Sequence, residues 1–139
     1  MKTPTDVFNS MQVILSDLND LKIHLAITAP APDVPVETGK NPKDLFRKTL
    51  EIQNELVGLA KSMKLSPPPL PKETADVHPR DISRAMNLVG QLLLLVKRRL
   101  GVGTTTTPKR TGLRVAPSHL VSEAEKILIE LRRVRAKLG

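Results

Sequence analysis

The chain has no cysteine, tryptophan or tyrosine among its 139 residues, and its only phenylalanines are Phe8 and Phe46. Without cysteine there is no disulfide framework, no thiolate nucleophile and no Cys-based metal site, and the redox compartment leaves no mark on the sequence. With so few rings, a core has to be built from Leu, Ile, Val, Met and Ala. Residues with straight side chains lose little rotamer freedom in a helix, whereas strands favour aromatic and β-branched residues. Long apolar runs are missing too: the densest, Leu92–Val96, falls far short of the roughly 20 residues that span a bilayer. No signal-peptide pattern precedes Pro4. The chain begins and ends at the edges of a repeated unit, which is what a segment cut from a longer protein would show.

The two signs of charge balance in one half only. Residues 1–70 hold eight basic and eight acidic side chains, while residues 71–139 hold fourteen and six, so the whole net charge of +8 resides in the second half. Such asymmetry points to an anionic partner.

What the chain does have is a period. Pro4, Pro42, Pro79 and Pro117 are separated by 38, 37 and 38 residues, and open the phrases Pro-Thr-Asp-Val, Pro-Lys-Asp-Leu, Pro-Arg-Asp-Ile and Pro-Ser-His-Leu. A fixed spacing of this length marks a repeated supersecondary unit, here residues 3–40, 41–77, 78–115 and 116–139 of one domain spanning 1–139. Proline at the first helical position gives up an N–H that has no partner there. Thr3 and Asn41 precede their prolines as good N-caps, His78 is a poorer one, and Ala116 departs from the pattern. Asp6, Asp44 and Asp81 follow at N3, where a carboxylate meets free backbone N–H groups and the positive end of the helix dipole; His119 replaces them in the fourth unit.

After each proline the apolar positions recur in steps of 4, 3, 4, 3 and 4. They are Val7, Met11, Ile14, Leu18, Leu21 and Leu25, then Leu45, Thr49, Ile52, Leu56, Leu59 and Met63. The third set is Ile82, Met86, Val89, Leu93, Val96 and Leu100, and the fourth Leu120, Ala124, Ile127, Leu131, Val134 and Leu138. This is the seam of helices packed knobs-into-holes, and Thr49 is its one polar member. The sequence therefore predicts an all-α four-helix bundle of four ~38-residue helix-plus-extended-linker repeats.

The linkers Ala26–Asn41, Lys64–His78 and Gly101–Ala116 carry a recurring Pro-x-(Glu/Arg)-Thr, at Pro35–Thr38, Pro71–Thr74 and Pro108–Thr111. Ala-Pro-Ala-Pro and Pro67–Pro71 favour extended polyproline-II backbone. A stiff spacer is the reading preferred over a PxxP docking segment. Antiparallel helix pairs usually need only about 2–8 connecting residues, yet fifteen extended residues reach ~46 Å, enough to return along a whole helix. Helix-pair precedent tilts the expectation slightly toward an up-down bundle. The repetition of linker length and motif supports the alternative, parallel helices with crossover linkers.

Two surfaces stand out as partner-binding candidates. Leu92, Leu94 and Leu95 put apolar side chains off the seam of the third helix, where the others carry Asp17, Asn19 and Asp20, or Glu55, Val57 and Gly58. Burial inside the bundle and contact with another chain, including a second copy, are the two readings. Lys97, Arg98, Arg99, Arg132, Arg133 and Arg135 form the second group, which Arg110 and Arg114 could extend. Cations near helix C-termini complement the dipole, but that does not explain their number in the second half. A nucleic acid or other polyanion is therefore the alternative partner, bound through phosphates alone, since no aromatic side chain is interleaved for base stacking.

His24, His78 and His119 lack metal-ligand spacing. Gly101-Val-Gly103 follows a helix and reads as a glycine cap, not a dinucleotide fingerprint; Thr104–Thr107 is a polar loop. No catalytic constellation assembles, and no cofactor, metal or small-molecule ligand is indicated. The expectation is a non-enzymatic structural or protein-interaction module, whose compartment the sequence does not specify.

Overall fold

The computed structural model describes residues 4–65, 79–104, 107–108, 112 and 115–138. Thr3, His78, Pro67–Pro71, Pro71–Thr74, Thr105, Thr106, Arg110 and Arg114 lie outside the described residues. Four helices, α1 (Pro4–His24), α2 (Pro42–Ser62), α3 (Pro79–Leu100) and α4 (Pro117–Leu138), make an all-α bundle, with no strand among the described residues.

Each helix opens on its proline. At α2 the start is fixed by a capping box: Asp44 N–H donates to Asn41 Oδ1, and Asn41 N–H donates to Asp44 Oδ2, each at 3.0 Å. The other ends are equally uniform. Ala26, Lys64 and Gly101 stand 22 residues after Pro4, Pro42 and Pro79, and all three adopt left-handed backbone with φ of 56°, 59° and 70°. Each reverses the chain in a Schellman motif. Ile27 N–H reaches Lys22 O, Leu65 N–H reaches Ala60 O and Val102 N–H reaches Lys97 O, at 2.9, 2.8 and 2.9 Å. Ile27, Leu65 and Val102 pack their side chains on the core edge. The glycine cap expected at Gly101 is present.

The seam is the core. Twenty of its twenty-four positions are buried, and the four left half-buried, Leu25, Met63, Leu100 and Leu138, are the last in each series. Leu18, Leu56, Leu93 and Leu131 are all at most 2% exposed. Thr49 keeps its hydroxyl satisfied by donating to Leu45 O at 2.9 Å, so a polar atom enters the seam without an orphaned donor.

Helix α1 packs on α3 and α4, and α2 packs on the same two; α1 does not touch α2, nor α3 touch α4, among the described residues. The order around the bundle is therefore α1, α4, α2, α3. Side-chain pairs fix the directions. Along α1 and α4, Gln12 meets Glu123 and, further on, Lys22 meets Glu130. Along α2 and α4, Lys48 meets Glu125 and then Glu55 meets Arg135. Late residues of α1 and α3 meet where Lys97 reaches Asp17 and Asp20. Position rises together along α1–α4 and α2–α4, and late residues meet late residues at α1–α3, so the four helices are parallel. The slight tilt toward an up-down bundle is overturned.

The linkers make this possible. The first runs back along α4, with Arg133 Nη1 donating to Pro30 O at 2.8 Å and Ser122 Oγ donating to Val34 O at 3.0 Å. Four parallel helices gather four C-terminal ends, each with about half a negative charge. Their basic last turns offset that repulsion, and Asp6, Asp44 and Asp81 do the converse at the other end.

Candidate functional site

Counted from each opening proline, the same two positions meet at successive interfaces. In the order α1, α4, α2, α3 and back to α1, position 18 of one helix reaches position 13 of the next at three of the four interfaces. Lys22 of α1 pairs with Glu130 of α4, Arg135 of α4 with Glu55 of α2, and Lys97 of α3 with Asp17 of α1. At the remaining interface, α2 against α3, the two positions are Ala60 and Leu92, both buried. A cation is missing on one helix and an acid on the helix it faces. The arrangement is quasi-four-fold, with three ionic contacts and one apolar.

This accounts for three of the candidate residues. Leu92 is 3% exposed and belongs to the core that also holds Ala60. Lys97, expected on the surface, is 2% exposed, with Nζ 2.9 Å from Asp17 Oδ1, 2.9 Å from Asp20 Oδ2 and 3.1 Å from Thr104 Oγ1. Burial works against its charge, but the two carboxylates more than reverse that and hold its pKa above the ordinary lysine value. Neither Leu92 nor Lys97 is free to meet a partner, which corrects the expectation for both. Asp17 and Asp20, which lie off the apolar seam, are the buried anions of this cluster.

Arg135 lies on the surface and reaches Glu55 Oε2 at 2.8 Å across Gly58, whose missing side chain leaves room for the guanidinium. Arg132 approaches Glu55 Oε1 at 3.4 Å. The Arg135 hydrogen bond, which outweighs partial burial, holds the Glu55 carboxyl below the usual carboxylate range. Arg133 is shared between Glu130 and Pro30 O. Arg98 and Arg99 are exposed and make no ion pair among the described residues, as is true of Lys61, Lys64 and Lys137.

Parallel packing brings these groups to one end. From Leu18, Leu56, Leu93 and Leu131 to the caps, the four repeats hold ten cations and a single acid, Asp20. Leu94 and Leu95, 41% and 38% exposed, and Ile23, 66% exposed, lie in the same third of the bundle. Of the six basic candidates, five therefore share an exposed or half-exposed basic end, and two of the three leucines accompany them. His24 and His119 are exposed.

A cavity of about 700 Å³ opens between the outer faces of α1 and α4 and the linker segments near Ala31 and Pro108. Its charged wall residues pair with one another, Lys22 with Glu130 and Lys126 with Glu123. No cluster of side chains suited to a metal ion occurs among the described residues, and no described helix is long and apolar enough to cross a membrane. Comparison with protein-family models, with curated proteins and with solved structures finds no match to this chain.

Proposed function

We propose that this protein is a non-enzymatic interaction module that docks an acidic protein surface through the basic end of its parallel bundle. The observation carrying this reading is the gathering of exposed cations at the last turns of the four parallel helices: Lys61, Lys64, Arg98, Arg99 and Lys137 have no acidic partner among the described residues, and Arg132 and Arg135 share the single Glu55. A field of that sign raises the encounter rate with anionic partners and falls off with salt. The exposed apolar groups Leu94, Leu95 and Ile23 among the cations favour a protein partner over a phosphate backbone, which offers nothing apolar for them to cover. Phe46 is buried and Phe8 half-buried, so no phenylalanine is exposed at the basic end to stack on bases.

Retention on immobilised poly-L-glutamate, duplex DNA and single-stranded RNA over a salt gradient tests the reading. Poly-L-glutamate should hold the protein at low salt and release it steadily as salt rises. Retention by DNA or RNA to clearly higher salt than poly-L-glutamate would transfer the reading to nucleic acid. Passage through all three columns at low salt would end it.

A further inference from the structure

The three ionic interfaces differ in what lies over them. Side-chain exposure of the pair is 6% and 8% for Lys22 and Glu130, and 3% and 6% for Lys97 and Asp17, but 45% and 23% for Arg135 and Glu55. The same repeat positions are buried in two cases and open in the third, and the linkers explain why. The first linker roofs the α1–α4 contact, where its Pro30 carbonyl accepts from Arg133. The start of the third roofs the α3–α1 contact, where Thr104 accepts from Lys97. At the α4–α2 contact, the first linker arrives only near the helix starts, beside Lys48 and Glu125. No linker residue bonds to Glu55, Arg132 or Arg135 among the described residues.

We propose that this half-groove, left open by the described linker residues between Glu55–Lys61 of α2 and Arg132–Lys137 of α4, is a docking site for an extended, acidic, proline-containing segment of a partner protein. The proposal rests on the reading that the basic end binds acidic protein, and it names the place and the shape of the ligand. Backbone conformation follows from the roofed grooves, in which the occupant is extended and Pro30 supplies the acceptor for an arginine. A polyproline-II segment presents its carbonyls without internal hydrogen bonds and loses little entropy on binding.

Charge follows from the lining. Arg132 and Arg135 have only Glu55 between them, so most of their guanidinium N–H groups are left for a ligand. Lys61 and Lys137 add two exposed cations with no acidic partner among the described residues. Gly58 contributes no side chain, and the Arg135 guanidinium lies 2.8 Å from where a Cβ would be, making the groove floor a plane of donors suited to carboxylates. The open stretch of about 10 Å accommodates three or four extended residues.

A fluorescent decapeptide of alternating Glu and Pro, titrated by anisotropy at low salt, tests this beside Arg132→Gln/Arg135→Gln and Arg98→Gln/Arg99→Gln. The Gly58 amide is followed in parallel in ¹H–¹⁵N spectra. Binding should shift the Gly58 amide and weaken about tenfold or more in the α4 variant, but less than about threefold in the α3 variant. Lys61→Gln/Lys137→Gln serves as the second groove variant should the arginine pair disturb the fold, and it should also weaken binding. Equal loss in the α3 variant, or an unmoved Gly58, overturns the groove while leaving the basic-end reading intact. Binding of poly-L-glutamate without binding of the decapeptide has the same meaning. Failure of the protein to bind either probe overturns both.

Discussion

Lys97 Nζ sits 2.9 Å from Asp17 Oδ1 across the α1–α3 interface, and the equivalent positions of α2 and α3 are Ala60 and Leu92, both buried in the core. The bundle thus contains an ionic and an apolar solution to one packing problem. Replacing Lys97 alone leaves two buried carboxylates without their cation, and Lys97→Ala should cost about 3–5 kcal/mol. Adding Asp17→Leu and Asp20→Leu gives α1 the residues that α3 has at the same repeat positions, Leu92 and Leu95. The triple variant should regain most of that loss, because buried ion pairs can be exchanged for packed apolar groups at little net cost. Urea unfolding of the single and triple variants is the check; a triple variant as unstable as Lys97→Ala would refute the equivalence of the two contacts.

The same cluster sets an alkaline limit. The carboxylates beside Lys97 and Lys48 hold both ammonium groups' folded pKa above the ordinary lysine value, against the opposing effect of burial. A group with a raised folded pKa contributes stability that is complete below its unfolded pKa and disappears as pH climbs through the folded one. Denaturant midpoints should therefore hold steady up to about pH 10 and fall above it. In the triple variant, which has no ammonium at position 97, the fall should be smaller.

The helix ends give a backbone prediction. Ala26 and Lys64 hold left-handed φ at the position where α3 places Gly101, and a side chain there costs about 1 kcal/mol or more. Lys64→Gly should stabilise the protein by up to about 1 kcal/mol, and Gly101→Ala should destabilise it by a similar amount. Thermal melts of the two variants should move in opposite directions.

The leucine run separates packing from surface. Leu92 is buried while Leu94 is 41% exposed. Leu92→Ala should cost about 2–5 kcal/mol, and Leu94→Ala less than about 1 kcal/mol. Leu94→Glu should leave the melt nearly unchanged yet weaken retention on poly-L-glutamate.

How much of this could be read from the residues differs by position. The seam from Val7 to Leu138 is a pattern of apolar spacing, and spacing survives whatever a helix packs against. Direction does not show in a seam, because its 4-3-4-3 steps look much alike read either way. The deciding residues flank it: Asp17, Glu55 and Glu130 at position 13, and Lys22, Lys97 and Arg135 at position 18. As single charges they fit solvated faces and helix dipoles. Read together they carry a signal, since the one helix lacking the acid, with Leu92, is packed against the one lacking the cation, with Ala60. Long, similar linkers were the other clue, and they outweighed the general habit of neighbouring helices to run antiparallel. The basic end followed once direction was known, because Arg98 and Arg99 add to Arg132 and Arg135 only if α3 and α4 point the same way.

Direction is thus the hinge of the account, and the absence of native cysteine makes it directly measurable. Spin labels at His24→Cys and Arg99→Cys, both 20 residues past their prolines, should give an electron–electron distance below about 25 Å by double electron–electron resonance if α1 and α3 run parallel. A distance beyond about 30 Å, the length of a helix of this size, would mean that they run in opposite directions and that no common basic end exists.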